Sequence, residues 1–435
     1  MSSSPLFALM DCNNFYATCE RVFQPKLAKT PIVVLSNNDG CIIARSNEAK
    51  DLGIEMGAPF FKFRDLILRK KVAVFSSNYT LYGDMSNRVM KSLQMMVPDL
   101  EIYSIDEAFF RLDNLMIENK IKLCEDIRYK INKWLGVPTS IGIAPTKTLA
   151  KIANRIAKKN LYNLAKNHVC DLSDINLQNA VLQKTAVQDI WGIAKNTTAK
   201  LNAIGIYNGF DLKTANPKLI RQILGVVGER ISCELQGISC LGLEEIKNRK
   251  NILSSKSFGK NVYEKSELQE AIANYVIRAC QKMRSQNSLA SGLYVYIRTN
   301  PFASKDRQYC YGLATGFVLP TNNVSQILKS AMKLLDQIYV KGFAYKKAGV
   351  MLLDLQNSDH NFQQDLFVSS QNIENIKSEK IQQTIEQINK IFGKNQAGND
   401  NIFYAIQGVK KSWAMKSDNR SWRYTTNINE IVKVV

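Results

Sequence analysis

Histidine is almost absent: the 435-residue chain has two, His168 and His360. A multi-histidine metal centre is therefore excluded. The nine cysteines are scattered and no two form a C-x-x-C pair, so neither a zinc ribbon nor a thioredoxin-type motif is supported. An odd, dispersed cysteine count in a long chain fits a reducing compartment. No apolar run reaches the roughly 18 residues that a membrane helix needs. The opening residues 1–14 have no basic n-region and no long apolar h-region, so no secretion signal is expected. No fixed-period repeat and no low-complexity tract is present. These absences point to a cytoplasmic protein with no membrane partner.

Positive charge, by contrast, is abundant. Lys and Arg number 58 against 38 Asp and Glu, a net charge of +20. Such a field attracts polyanions. Residues 1–110 are net neutral, 111–250 carry +10, 251–355 carry +8 and 356–435 carry +2. A neutral, carboxylate-bearing segment beside basic ones suits an enzyme acting on nucleic acid. A basic solvated surface fits the charge alone about equally well. The 45% apolar content suffices for real cores, and the length suggests two to four domains.

Along the chain, LFALM (6–10) is a short apolar run closed by Asp11 and reads as a buried strand. PIVVLSN (31–37) is a second strand, ended by the turn signal NNDG, and 41–53 a strand leading into a helix. Strands are also expected at 71–76 and 137–144, helices at 79–96 and 146–160, and a strand over 101–112 that breaks at Asp106–Glu107. Residues 176–245 look mostly helical, with two glycine-centred turns. Residues 251–355 alternate as strands with two helices, near 266–285 and 323–338. Beyond Gln356 the chain turns polar and Asn/Gln-rich, as a linker or interaction tail would.

The sharpest chemistry is Asp11 at one strand end, with Asp106 and Glu107 at the break of another. Hard divalent cations take oxygen ligands, and two-metal phosphoryl transfer needs several carboxylates converging on ions about 4 Å apart. Alone, an Asp after a strand is usually a cap and an Asp-Glu pair usually a turn. The flanking residues alter that balance. FALMDCNNFYATCERVF (7–23) and YSIDEAFFRL (103–112) together resemble the two catalytic motifs of Y-family DNA polymerases. VVLSNNDGCIIARSNEAKDLGIEMG (33–57), IGIAPTKTLAKIANRIAK (141–158), GVVGERISCELQGISC (225–240) and SSKSFG (254–259) follow in the family's order. The NNDGCIIAR string and WAMKSDNRSWRYTTNINEI (413–431) resemble its UmuC branch.

That resemblance implies an α+β multidomain, right-hand polymerase. Its parts would be a palm (1–25 and 78–172), fingers (26–77), a helical helix-hairpin-helix thumb (173–245), an α+β little finger (251–356) and a C-terminal interaction tail (357–435). It implies error-prone translesion synthesis in the SOS response, on primer-template DNA, with two Mg²⁺ ions and deoxynucleoside triphosphates. Asp11, the Cys12 carbonyl, Asp106 and Glu107 would hold the ions, and Ser104 would orient them or be an ordinary strand hydroxyl. Tyr16, with Phe15 beside it, takes the place of the steric gate against a ribose 2′-hydroxyl; both are otherwise core residues at a helix start. Lys147 matches the palm lysine for the triphosphate, joined by Arg45 and Lys50 from the fingers. Lys50 stands where many relatives have Arg and Asn47 where many have Tyr, so a bidentate phosphate contact is lost there. Segment 189–206 resembles a helix-hairpin-helix, giving Gly192, Lys195 and Lys200 to DNA phosphates, or else is a plain helical packing unit. Lys256 and Lys260 would track the duplex. QQDLF (363–367) resembles the sliding-clamp motif, with Gln363, Leu366 and Phe367 as anchors. A UmuD′ dimer, RecA and the clamp are the implied protein partners. The alternatives are a non-catalytic DNA-binding repair factor on the same scaffold, or another palm enzyme such as a nucleotide cyclase or reverse transcriptase.

Overall fold

The computed structural model describes residues 5–115, 119–244, 247–303, 305–358, 371–392, 401–409, 411–427 and 430–431. The chain divides into two units: Met1–Glu245 together with Asp418–Val435, and Ile246–Ser417.

The first unit begins with β1 (Phe7–Cys12) and α1 (Phe15–Val22). A small module follows, of β2 (Ile32–Leu35), β3 (Ile42–Arg45), α2 (Asn47–Asp51), α3 (Phe60–Arg69) and β4 (Ala73–Ser76). Its sheet runs β3-β2-β4, over a core that includes Val33, Leu35, Ile42 and Ile67. The chain then returns through α4 (Tyr79–Gln94), β5 (Leu100–Ile102), β6 (Glu107–Arg111), α5 (Lys120–Leu135), β7 (Thr139–Ala144), α6 (Lys147–Lys159) and β8 (Val169–Asp171). These strands and β1 form one sheet in the order β5-β6-β1-β7-β8. Helices α7 (Ile175–Lys184), α8 (Lys195–Asn202), α9 (Gly209–Thr214) and α10 (Pro217–Leu235) complete the unit's first segment.

A run as apolar as Phe7–Met10 demands burial on both faces, and β1 is central and covered on both. Ala8, Met10 and Cys12 join the core built with α1, α4 and α5. Phe7 and Leu9 join the opposite core, built with α6 and the helices beyond residue 175. The period of two therefore sends Asp11 to the α6 side. Helix α6 comes down directly on β7 at Gly142. A Cβ there would lie 2.0 Å from the Asn154 nitrogen and 2.4 Å from the Ala150 carbonyl. Asn154 fixes that approach by donating to the Leu9 and Ser140 carbonyls, at 3.0 and 2.8 Å.

The second unit contains β9 (Ile252–Val262), α11 (Lys265–Ser285), β10 (Ser288–Thr299), β11 (Cys310–Thr321), α12 (Val324–Ile338) and β12 (Tyr345–Asn357). The antiparallel sheet runs β11-β10-β12-β9, with α11 and α12 packed on one face. The polar stretch after Gln356 is more ordered than a linker: α13 (Gln371–Phe392) belongs to it. Glu386 of α13 accepts from Arg284 Nε at 3.0 Å, and Trp413 is buried against Phe258 and Tyr275. Polar composition hid these few anchoring residues. Among the described residues no helix is long and apolar enough to cross a membrane.

Candidate active site

The antiparallel register sets Asp11 opposite Glu107 on β6 and opposite Ser140 on β7. The Cys12 amide donates to the Asp106 carbonyl at 2.9 Å, closing the strand break onto the end of β1. Ser104 donates to Asp106 Oδ1 at 2.7 Å and accepts the Asp106 and Glu107 amides at 3.2 and 3.0 Å. Its hydroxyl thus orients the turn that carries both acids. The sequence places Asp11, Asp106 and Glu107 at one end of the sheet, and the fold brings them together there.

Each outer carboxylate faces a lysine of α6. Lys158 reaches Asp11 at 2.6 Å, and Lys151 reaches Glu107 at 3.0 Å. Burial pushes the Asp11 carboxyl up to about 6 against the pull of Lys158, and the neighbouring Asp106 and Glu107 push the same way. Among the described residues no three His, Cys, Asp or Glu side chains already stand in a metal cage. The donors nevertheless suit a hard divalent cation. They are oxygens gathered at one end of the sheet, and lysine ammonium groups balance their charge.

A cavity of about 360 Å³ opens beside them, with Cys12, Phe15, Tyr16, Arg45, Lys50, Asp106 and Lys158 among its lining. Its size is in the usual range for a small-molecule site. Lys50 is held by Asn14 and, at 3.1 Å, by Asn47. Burial, then the nearby Lys158, Arg45 and Lys159, holds its ammonium below the usual range. A concentration of cations around one half-buried lysine is a site suited to an anion. Arg45 gives one N–H to the Ile54 carbonyl, while its buried Nε has no partner among the described residues. Tyr16 is stacked on Tyr82 at 4.4 Å and set edge-on to Tyr79. Phe15 is 3% exposed and serves both the core and the cavity wall.

Lys147 stands elsewhere. It is 3% exposed, paired with Glu101 and 4.9 Å above the Phe109 ring, and it does not line the cavity. The palm lysine of the cavity is Lys158, three turns along the same helix. Sequence reading missed Lys151 and Lys158, although Lys147, Lys151, Asn154 and Lys158 recur at i, i+4, i+7 and i+11. That spacing draws one face of a helix.

Gly192, with φ +89°, makes the exposed turn before α8, and Lys195 and Lys200 are exposed on that helix. A second opening lies in α10, where Gly225 at φ +73° breaks the helix and leaves Val226 and Val227 exposed. In the second unit, Lys260 is exposed and 3.8 Å from Glu267. Lys256 is half-buried and in register with Ala348 and Ile297, both fully buried. That row faces the helices. The adjacent row, Ser257, Lys347 and Arg298, faces away from them. Alternation therefore places Arg298 and Lys347, both half-buried, on the face away from the helices, and Lys256 on the other. Gln363, Leu366 and Phe367 lie outside the described residues.

Comparison with known proteins agrees with this architecture. Residues 10–155 match the impB/mucB/samB family, 249–366 its C-terminal domain, and 379–434 a domain of unknown function (DUF4113). Protein UmuC of Salmonella typhimurium is 41% identical over 99% of this chain and 100% of its own length. Protein ImpB of the same organism is 39% identical over 98% and 99%. DNA polymerase IV 1 of Bacillus subtilis is 26% identical over 88% and 90%. A solved Y-family DNA polymerase chimera of Dbh and Dpo4 superposes with a TM-score of 0.65 at 22% identity, covering 81% of this chain and 99% of its own. With the palm-type sheet, its paired acids and full-length identity at this level, the chain belongs to the UmuC (impB/mucB/samB) family of Y-family DNA polymerases.

Proposed function

We propose that the chain is an error-prone translesion polymerase that adds deoxynucleotides to a primer 3′ end opposite damaged template in the SOS response. The observation that carries this reading is a cavity lined by Asp106, by the cations Arg45, Lys50 and Lys158, and by Tyr16, with Asp11 joined to it through Lys158. Asp11, Asp106, Glu107 and the Cys12 carbonyl would hold two Mg²⁺ ions. Bound there, the ions would activate the primer hydroxyl and neutralise charge on the triphosphate. Lys158, Lys50 and Arg45 bind the phosphates electrostatically. Tyr16 packs under the sugar, where a 2′-hydroxyl would meet its ring. Ser104 fixes the rotamer of Asp106. Phosphoryl transfer needs no covalent bond to the protein, so positioning and charge are what these residues contribute.

The exposed turn at Gly192, with Lys195 and Lys200, supports a sequence-independent grip on DNA phosphates. The identity to UmuC supports a cytoplasmic setting and a UmuD′ dimer, RecA and the sliding clamp as partners. Primer extension with Mg²⁺, those partners supplied, tests the reading. Wild type should extend the primer, and Asp106→Ala should lower the rate by about a thousandfold or more, on the scale of removing one essential catalytic group. Equal extension by the two proteins would remove the carboxylates from the chemistry. No extension by either would favour the non-catalytic repair factor.

A further inference from the structure

The segment from Asp418 to Asn427 belongs to the first unit and touches the elements that carry Tyr16. Asn419 exchanges hydrogen bonds with Ser76 at the end of β4, donating to its hydroxyl at 3.0 Å and accepting its amide at 3.0 Å. Asn78 caps α4 through its Oδ1. Its Nδ2 meanwhile donates to the Ser421 carbonyl, the Ser421 hydroxyl and the Trp422 carbonyl, at 3.2, 3.0 and 3.1 Å. Ser421 donates in turn to Glu20 of α1 at 3.0 Å. Tyr424 stacks on Phe23, just past the end of α1, at 4.5 Å.

Glu20 is the centre of this arrangement. It is fully buried, and its Oε1 accepts from both Ser421 and the Tyr82 hydroxyl, the latter at 2.6 Å. Tyr82 is also fully buried, and Tyr16 lies flat against it with 17° between the rings. A continuous path therefore runs from Ser421 through Glu20 and Tyr82 to the ring of Tyr16. Without Ser421, Glu20 would keep one buried hydrogen bond in place of two, and the Tyr82 hydroxyl would lose a fixed acceptor.

We propose that the 418–427 segment is a specificity element: through Ser421, Glu20 and Tyr82 it holds the Tyr16 ring in place and so sets discrimination between deoxyribose and ribose. This rests on the reading of Tyr16 as the sugar gate. An aromatic gate excludes a single hydroxyl only while the ring stays within a fraction of an ångström of its position, which demands a locked support. Ser421, Glu20 and Tyr82 are positioning residues, since none of them lines the cavity. The proposal also gives a task to part of the segment matched by the domain of unknown function.

Single-nucleotide insertion by the full chain, with its partners supplied, tests this when kcat/KM is measured for a deoxynucleotide and the matching ribonucleotide. Ser421→Ala should lower the deoxy-to-ribo ratio about three- to tenfold, the worth of one buried hydrogen bond. The change should come from faster ribonucleotide insertion, with deoxynucleotide kcat/KM held within about twofold. Ser421→Thr, which keeps the hydroxyl, should restore the ratio. Asn78→Asp keeps the helix cap but turns a donor into a carboxylate facing two carbonyls, and should relax the ratio at least as far. Should it fail to fold, Ser421→Ala decides alone. In a Tyr16→Ala background, Ser421→Ala should change nothing further. An unchanged ratio in Ser421→Ala, or the same relaxation with and without Tyr16, overturns the proposal while leaving the gate intact. If Tyr16→Ala itself leaves the ratio unaltered, the gate reading falls, and this one with it.

Discussion

Lys147 and Lys158 share a helix and a charge, yet their surroundings assign them different work. The Lys147 and Glu101 side chains are 4% and 9% exposed, and Glu101 also accepts the Glu244 amide at 2.6 Å. Lys147→Ala leaves that carboxylate buried without its cation, a loss of about 3–5 kcal/mol in folding stability. Lys158→Ala removes a half-exposed partner of Asp11 and a cation of the cavity. It should raise the KM for nucleotide about tenfold or more while the thermal midpoint barely moves. Melting curves and steady-state kinetics on both variants separate the two effects; a KM change confined to Lys147→Ala would reverse the assignment. Glu20 makes a pH prediction of its own. Burial pushes its carboxyl from 4.5 up to about 7, with the Tyr82 and Ser421 hydrogen bonds pulling the other way. Folding thus raises its proton affinity. The stability linked to Glu20 is complete below about pH 4.5 and is lost as pH rises through about 7. Glu20→Gln keeps the acceptor oxygen and carries no charge. Wild type should lose thermal stability between about pH 4.5 and about pH 7 and level off above that, and the variant should lose less. Equal losses would place the pH dependence at another group.

At the level of elements, much of the first unit is legible in the sequence, because most of its strands announce themselves in short apolar runs; the three-residue β8 does not. The expected strand at 6–10 is β1, the helix at 146–160 is α6, and the expected break falls slightly earlier, between Ile102 of β5 and Glu107, which opens β6. What the sequence shows less clearly is docking. Which lysine of α6 meets which acid depends on the angle at which the helix crosses β7, and that angle is set by the missing side chain of Gly142 and by Asn154. A hydrophobic pattern identifies the buried face of a helix but does not say which of its polar residues lands over a strand end. The same limit explains Lys256. Its place on β9 is clear from the sequence, but its face depends on the register with β12. The end of the chain is harder still. Asn78 and Ser421 stand 343 positions apart and meet through hydrogen bonds, for which local composition carries no signal.

Over the whole molecule, charge is distributed by task. The segment 1–110, which holds all three acids, is net neutral, and residues 111–355 supply +18 of the net +20. Cations inside the cavity act at short range on one small anion. Cations on open surfaces act on a polymer whose condensed counterions they displace, and that second role has a measurable signature. The logarithm of DNA affinity should fall linearly with the logarithm of salt concentration, with a slope of about −0.9 for each phosphate neutralised. The β9–β12 sheet offers two cations for that role, Arg298 and Lys347, in one cross-strand row on the face away from α11 and α12. Replacing both with Ala should make the slope shallower by roughly 2 and weaken binding to all duplex sequences alike, because phosphate contacts carry no base information. Lys256→Ala should leave the slope as it is, since its row faces the helices. Fluorescence anisotropy titrations of a labelled primer-template at several salt concentrations measure both. A slope that responds to Lys256 and not to Arg298 and Lys347 would mean that DNA is held by the edge of the sheet and not by its open face.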